Sequence, residues 1–161
     1  MEISYGEICS ICHKSGGNCC IGGRPTLLSK EQIQWKEYIS KYKYRDTEIP
    51  TLGSLDEDCV YMNETGFCSI QKTKPFQCRL FPFEILFEEK SGKYFLSLKM
   101  CELGKHIFSD KDTLKTEREK VKKALMELPI EDINLLTLDP GQVYSFEILE
   151  ELIFKGNKLV V

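Results

Sequence analysis

The residues of this chain whose type and spacing could do chemistry are its cysteines. The 161 residues include eight of them: Cys9, Cys12, Cys19, Cys20, Cys59, Cys68, Cys78 and Cys101. Cys9 and Cys12 have the CxxC spacing of a metal chelate loop, because two thiolates at this spacing converge on one ion without backbone strain. The adjacent cysteines at positions 19 and 20 strengthen this interpretation. The sequence therefore predicts a thiolate metal site.

The distribution of the thiols bears on the identity of the metal. We expect the main site to contain Cys9, Cys12, Cys78 and one of Cys19 and Cys20, with Cys59, Cys68 and Cys101 completing or flanking it. Zinc prefers a closed tetrahedral site, whereas an iron–sulfur cluster accepts distant cysteines as readily and is tuned by burial. Because one CxxC is joined by scattered partners, the spacing favours an iron–sulfur cluster, of the [4Fe–4S] type, over zinc.

Other thiol chemistries fit the pattern less well. A thioredoxin-like redox pair shares the CxxC spacing, but no strand-then-helix pattern surrounds Cys9 and Cys12. The chain lacks the second CxxC of a zinc ribbon and the closely spaced run of a two-cluster ferredoxin. His13 and His106 are possible ligands, although with eight thiols available a structural role is favoured. Four disulfides remain an alternative only for an exported or hyperthermophilic protein.

Composition excludes several classes of function. A net charge of -3 and 42% apolar residues describe an ordinary globular domain, without a strongly basic surface for nucleic acid. The first residues lack the basic region of a signal peptide, and no apolar run is long enough for a membrane span. We therefore expect a cytoplasmic protein, with neither nucleic acid nor membrane as a partner.

The length predicts a single domain, 1-161, with a metal-binding core over 1-105 and a helical and short-strand extension over 106-161.

The elements that position the first cysteines begin with a predicted helix. Ser29 and Gln32 fit a capping box, and Leu28 is placed to pack on Ile33. The helix would then bury a face made of Trp35, Tyr38, Ile39 and Tyr42. Residues 44–53 are predicted to form a loop, because they contain proline and glycine.

Two hairpins would position the later cysteines. Short strands over 59–62 and 67–71, joined by an Asn-Glu-Thr-Gly turn, would make Cys59 and Cys68 neighbours. A single turn carrying Cys78 and Arg79 follows. The clearest alternation, over 83–88 and 94–100, predicts a second hairpin that returns Cys101 towards Cys78.

Residues 110–128 are predicted as an amphipathic helix, with a buried face of Leu114, Val121, Leu125 and Leu128. The expected fold class is α+β: short antiparallel hairpins around the cysteines, with two or more amphipathic helices.

At these residues the sequence resembles the YkgJ-type cysteine-cluster family, whose members are described as zinc- or iron-chelating domains with a CxxCxxxCC signature. The elements that match in order are the four N-terminal cysteines, Pro25–Ser29, Asp58–Tyr61, Gly66–Ile70 and Lys74–Pro82. The sequence departs from the family pattern at three points. Six residues separate Cys12 from Cys19, where the signature has fewer, and Lys74 and Gln71 stand where the family usually has an arginine and often a tyrosine. The resemblance implies metal chelation in the cytoplasm and implies no particular reaction.

A looser resemblance links this cysteine motif to a bacterial flagellin lysine methylase whose cysteines hold an iron–sulfur cluster. No glycine-rich nucleotide-binding loop accompanies it here, so a methyl-donor site is not supported. The sequence thus predicts a metal-binding protein, and two alternatives stay open. One is an iron–sulfur-dependent enzyme or electron carrier, for example one supporting protein lysine methylation. The other is a structural zinc module that binds an unknown protein partner.

Overall fold

Helices and antiparallel strands both contribute to the structure, a computed structural model that describes residues 24–54, 57–138 and 145–160. These residues form five α-helices, one 3-10 helix and six strands, so the predicted α+β class is confirmed. The chain divides into two compact units, Met1–Arg79 and Leu80–Val161, and each is described by itself. The single domain predicted from length stays a prediction.

The first unit begins with a short helix and a hairpin. Helix α1 (Glu31–Gln34) and a 3-10 turn (Lys36–Tyr38) lead into strand β1 (Ile39–Tyr44), which pairs antiparallel with β2 (Thr47–Leu52). The long helix predicted from Ser29 is therefore wrong, as is the loop predicted over 44–53. In β1, Tyr42 and Tyr44 alternate with Lys41 and Lys43, a pattern that suits a strand. Residues 39–44 therefore form a strand paired with β2, although the apolar residues from Trp35 to Tyr42 have helical spacing.

The predicted capping box and hydrophobic staple are also wrong. Lys30, not Ser29, occupies the N-cap of α1, and its side chain makes no capping hydrogen bond. Ile33 is 79% exposed and so provides no partner for the buried Leu28. The predicted burial of Trp35 is confirmed. It packs with Leu27 and Leu52, and the half-buried residues around this cluster are Ile39, Tyr61 and Ile70.

The loop over 57–75 has much less regular structure than predicted. Only one antiparallel bridge, Met62 to Cys68, replaces the two expected strands. The predicted turn is present: Asn63 Oδ1 accepts the N–H groups of Thr65 and Phe67 at 3.0 and 2.9 Å, and Gly66 has a φ of 80°. A second turn follows at once, with Thr73 N–H donating to the Ile70 carbonyl, and it ends the pairing.

The second unit contains a four-stranded antiparallel sheet in the order β3-β4-β5-β6. Its strands are β3 (Phe83–Glu88), β4 (Lys93–Lys99), β5 (Phe146–Lys155) and β6 (Lys158–Val160). The β3–β4 hairpin confirms the prediction, with Phe83 opposite Leu98. A register shift at Leu96/Ser97 interrupts the pairing of β4 with β5. The sequence predicted short strands in 106–161 but no bounds for β5 and β6, which form the last part of the sheet.

Helix α2 (Phe76–Leu80) belongs to the segment around Cys78 and is described below. Three further helices lie between β4 and β5 in the chain: α3 (Glu102–Ser109), α4 (Lys111–Leu125) and α5 (Ile130–Leu136). Helix α4 confirms the predicted helix, although it ends at Leu125 rather than at residue 128. The Lys122 ammonium lies 2.9 Å from a Glu150 carboxylate oxygen of β5, and the Tyr94 hydroxyl of β4 donates to Asn134 of α5 at 2.6 Å. The buried side chains of this unit include Ile85, Leu96, Leu98, Ile107, Leu125 and Ile133.

Within the described ranges, no helix has both the length and the apolar character that crossing a membrane requires.

Candidate metal centre

Cys78 lies in the middle of a single helical turn, as predicted. Helix α2 (Phe76–Leu80) carries it after the buried Pro75, and the Cys78 side chain is half-buried. Arg79, which follows, is exposed, and its guanidinium carbon lies 5.4 Å from the centre of the Phe76 ring. The turn therefore holds a partly shielded thiol, and the cation that follows it in the sequence lies over the Phe76 ring.

Side-chain hydrogen bonds of Glu31 and Gln77 attach this turn to the segment over 24–28. The Glu31 carboxylate accepts the Phe76 N–H at 2.6 Å and the Leu28 N–H at 3.0 Å. The Gln77 side-chain oxygen accepts a short hydrogen bond from the Thr26 N–H. Sequence reasoning missed both residues, because their partners lie 45 and 51 positions away and no local pattern signals such a contact.

The segment that Gln77 contacts also lies against β2. Leu27 N–H donates to the Pro50 carbonyl at 2.8 Å, Leu52 N–H donates to the Pro25 carbonyl at 3.0 Å, and Thr26 forms a bridge with Thr51. Arg24, at the start of this segment, is buried, and its side chain approaches Gly53. Residues 24–28 are thus fixed from two sides.

Cys59 and Cys68 lie in one loop of the first unit. Both are half-buried free thiols. The Cys59 carbonyl accepts the Met62 N–H at 2.8 Å, and Met62 forms the bridge with Cys68. Tyr61, between them in the chain, packs its ring edge-on against Tyr38, with 5.9 Å between the ring centres. Turns thus replace the hairpin that was predicted to make Cys59 and Cys68 neighbours, and the bridge partner of Cys68 is Met62.

Cys101 belongs to the second unit and caps a helix. It is 3% exposed, occupies the N-cap of α3, and its sulfur accepts the Gly104 N–H at 3.5 Å. A Cβ at position 104 would lie 1.7 Å from the Lys99 carbonyl oxygen, so only glycine fits where α3 meets the end of β4. The thiol here takes the place of the serine or aspartate usual at an N-cap.

The remaining predicted ligands lie outside the described residues; these are Cys9, Cys12, Cys19, Cys20 and the alternative ligand His13. His106, the other alternative, is exposed in the last turn of α3. Over the ranges that the structure describes, no group of three or more histidine, cysteine, aspartate or glutamate side chains is arranged to hold a metal ion. The eight-cysteine ligand set therefore stays a prediction.

The chemistry of the described donors fits zinc or iron. Cys59 and Cys68 are reduced sulfur donors, partly shielded from water, and Cys78 has similar exposure. Soft thiolates of this kind select zinc and iron–sulfur centres over hard cations. Each site of four sulfurs would need further cysteines, and the N-terminal four are the ones available in the first unit.

Charged pairs occur in both units of the described structure. The hydrogen bond from Lys41 lowers the pKa of Glu48 and raises the pKa of Lys41 itself, and the Glu151 carboxylate raises the pKa of Lys93. The most buried pair joins Glu84 of β3 to Lys99 of β4 at 2.5 Å. The alternation over 83–88 and 94–100 predicted the hairpin but gave no signal for this pair.

The chain matches the model of a family described as "CxxCxxCC: Putative zinc- or iron-chelating domain" over residues 9–102. The match covers more than half of the chain and includes all eight cysteines. Searches of curated proteins and of solved structures give no match. The resemblance inferred from the cysteine spacing is confirmed, and the match supports metal binding. The chain belongs to the CxxCxxCC family.

Proposed function

We propose that this protein is a cytoplasmic metal-binding protein that holds an iron–sulfur cluster, or alternatively zinc, through its cysteine thiolates. The observation that carries the proposal is the family match, which extends from the first to the last cysteine of the chain. The free, half-buried thiols of Cys59 and Cys68 support it, because a reducing compartment keeps such thiols available to metals. The scattered spacing favours the cluster over zinc, as argued above.

The residues proposed to hold the metal are Cys9, Cys12, Cys78 and one of Cys19 and Cys20, with Cys59, Cys68 and Cys101 completing or flanking the site. An iron–sulfur cluster would supply electron transfer or support for group transfer, and zinc would supply a fixed cross-link between distant segments. The chain's own contribution is to hold the thiols and shield them partly from water.

The first experiment is anaerobic purification followed by an absorption spectrum and elemental analysis of one sample. A brown protein that absorbs near roughly 400 nm and contains iron and acid-labile sulfide would support the cluster. A colourless protein with stoichiometric zinc would support the alternative. Neither metal, together with thiols paired as disulfides, would overturn the proposal. Cys78→Ser is expected to lose most of the metal, and a full metal complement in this variant would remove Cys78 from the ligand set.

A structural role for the metal is favoured by the loop over 57–75. This segment contains two cysteines but only turns and one bridge, so few backbone hydrogen bonds hold it. Metal binding often provides the folding free energy of such segments. If the metal is zinc, this structural role is its main function, and proteolysis of the loop should become faster when the metal is removed.

A further inference from the structure

Two side chains of the first unit, Glu31 and Gln77, join the Cys78 turn to the chain that follows the Cys19-Cys20 pair. Glu31 is the first residue of α1, and its two carboxylate oxygens accept the N–H groups of Phe76 and Leu28 at 2.6 and 3.0 Å. Gln77 accepts the N–H of Thr26 through its side-chain oxygen. Together they form a clamp between α2 and residues 24–28, which we call the Glu31–Gln77 clamp.

The clamp satisfies backbone groups that would otherwise be costly to bury. Thr26 and Leu28 are each 3% exposed, and Phe76 is 9% exposed. Phe76 begins α2, so its N–H has no acceptor within that helix. An unsatisfied buried N–H costs about 1–3 kcal/mol, and a hydrogen bond to a carboxylate is stronger than one between neutral groups. The clamp therefore holds α2 and the 24–28 segment in one arrangement.

Each of the two segments that the clamp joins adjoins a predicted ligand in the sequence. Thr26 follows Cys20 by six residues, a span of at most about 20 Å when fully extended. Gln77 immediately precedes Cys78. Hydrogen bonds that orient a metal ligand are often needed for affinity: their loss commonly weakens binding by about 10–100-fold.

We infer that Glu31 and Gln77 are positioning residues for the metal site: they fix the Cys78 turn relative to residues 24–28, without contacting the metal. The inference rests on the proposed function, because it requires Cys78 and the N-terminal cysteines to share a metal. It adds two residues that carry no sulfur and that the cysteine signature does not contain.

The test compares the affinity of metal-free, reduced protein for Co²⁺, measured anaerobically from thiolate-to-cobalt absorption. Glu31→Gln leaves one acceptor oxygen for two N–H groups, and Gln77→Leu removes the acceptor for Thr26. Both are expected to bind Co²⁺ at least about 10-fold more weakly and to show altered ligand-field bands at saturation. Gln77→Glu keeps an acceptor oxygen and is expected to restore affinity to within about 3-fold of wild type.

Two exposed residues provide matched controls. Glu37→Gln removes a carboxylate from the adjacent 3-10 turn, and Gln34→Leu removes an amide from α1. Neither should change the affinity or the spectrum. These controls separate the clamp from general effects of lost charge or added apolar surface.

The outcomes separate the two proposals. Wild-type protein that contains no metal and takes up no Co²⁺ would overturn the proposed function. Wild-type binding together with unchanged affinity and bands in both clamp variants would overturn the positioning inference alone. If a clamp variant unfolds without metal, its spectrum at saturating Co²⁺ decides: the wild-type bands would contradict the inference, and altered bands would support it. Failure of Gln77→Glu to restore affinity would also contradict it.

Discussion

Among the described cysteines, the surroundings of the sulfur differ from one residue to the next. Cys59 and Cys68 are half-buried free thiols in one loop, whereas the Cys101 sulfur is buried and already accepts the Gly104 N–H. The Cys101 sulfur has two candidate roles, as the N-cap of α3 and as a metal ligand, because a hydrogen bond from a backbone N–H is compatible with metal coordination. Substitution of Cys101 separates these two roles.

For Cys101 we predict different effects of serine and alanine on stability. A serine hydroxyl is a preferred N-cap acceptor, so Cys101→Ser should keep the free energy of unfolding of the metal-free protein within about 0.5 kcal/mol of wild type. Cys101→Ala should lower it by about 1 kcal/mol, because the Gly104 N–H loses its acceptor. Urea denaturation measures both values.

The metal content of the same two variants tests the second role. If Cys101 is a ligand, as proposed, both variants lose metal. Full metal content in both would exclude Cys101 from the ligand set and leave it as a helix cap only. Equal stabilities of the serine and alanine variants would contradict the capping role.

At the scale of elements, a buried ion pair links β3 to β4. Glu84 lies opposite Ser97, two residues from Lys99 on the same face of the sheet. The Glu84 and Lys99 side chains are 9% and 12% exposed, and the Lys99 ammonium also lies 5.8 Å from the centre of the Phe81 ring. Removing one partner of such a pair leaves a buried charge, which is more harmful than removing both.

We therefore predict strong coupling between these two positions. Glu84→Leu alone should lower the free energy of unfolding by about 3 kcal/mol or more, and adding Lys99→Met should recover most of that loss. Denaturant titration of both single variants and of the double variant gives the coupling. The exposed pair of Lys93 with Glu151, at 2.8 Å, is the control and should show much weaker coupling. Additive effects at positions 84 and 99 would contradict the prediction.

The start of α4 should show a pH dependence that originates at Asp110. The Thr113 hydroxyl and then the N–H groups of Asp112 and Thr113 donate to its carboxylate and lower its pKa from the usual 3.8. A carboxyl whose pKa is lowered by folding stabilises the folded state above its unfolded pKa, and this stability is lost as pH falls through the folded value.

Asp110→Asn keeps a capping oxygen but cannot titrate. We predict that wild type exceeds this variant in stability at neutral pH, and that the difference shrinks as the pH falls below 3.8. Thermal unfolding between pH 7 and pH 2 measures it. A difference that is constant over this range would show that the Asp110 charge makes no contribution.

At the scale of the whole molecule, backbone hydrogen bonding is distributed unevenly. The sheet of the second unit has ladders of paired residues between neighbouring strands, with one register shift between β4 and β5, whereas the cysteine loop over 57–75 has one bridge and a few turns. Segments with few backbone hydrogen bonds open at low free-energy cost unless something else holds them. The proposed metal would hold this loop.

Metal removal should therefore affect the two regions differently. We predict that amide exchange in residues 57–75 becomes at least about 10-fold faster in metal-free protein, while exchange in β3 and β4 changes little. Hydrogen–deuterium exchange with mass spectrometry compares metal-bound and metal-free samples. An equal increase throughout the chain would instead indicate that the metal stabilises the whole molecule.

Local sequence was sufficient for several elements. The alternation over 83–88 and 94–100 predicted the β3–β4 hairpin, and Asn63 with Gly66 predicted a turn that needs only neighbouring backbone groups. The Cys78 turn and α4 followed from local spacing as well. The cysteine spacing also identified the family, and it predicts metal binding, because ligand type and CxxC spacing are properties of the chain itself.

Tertiary structure decided the rest. Residues 39–44 match both a helical and a strand pattern, and only pairing with β2 selects the strand. Likewise, the contacts of Glu31 with Phe76 and of Gln77 with Thr26 join positions far apart in the chain. By itself the sequence determined which atoms can bind a metal. Folding determined which backbone segments hold Cys78 in place, because distant hydrogen-bond partners meet only after the chain has folded.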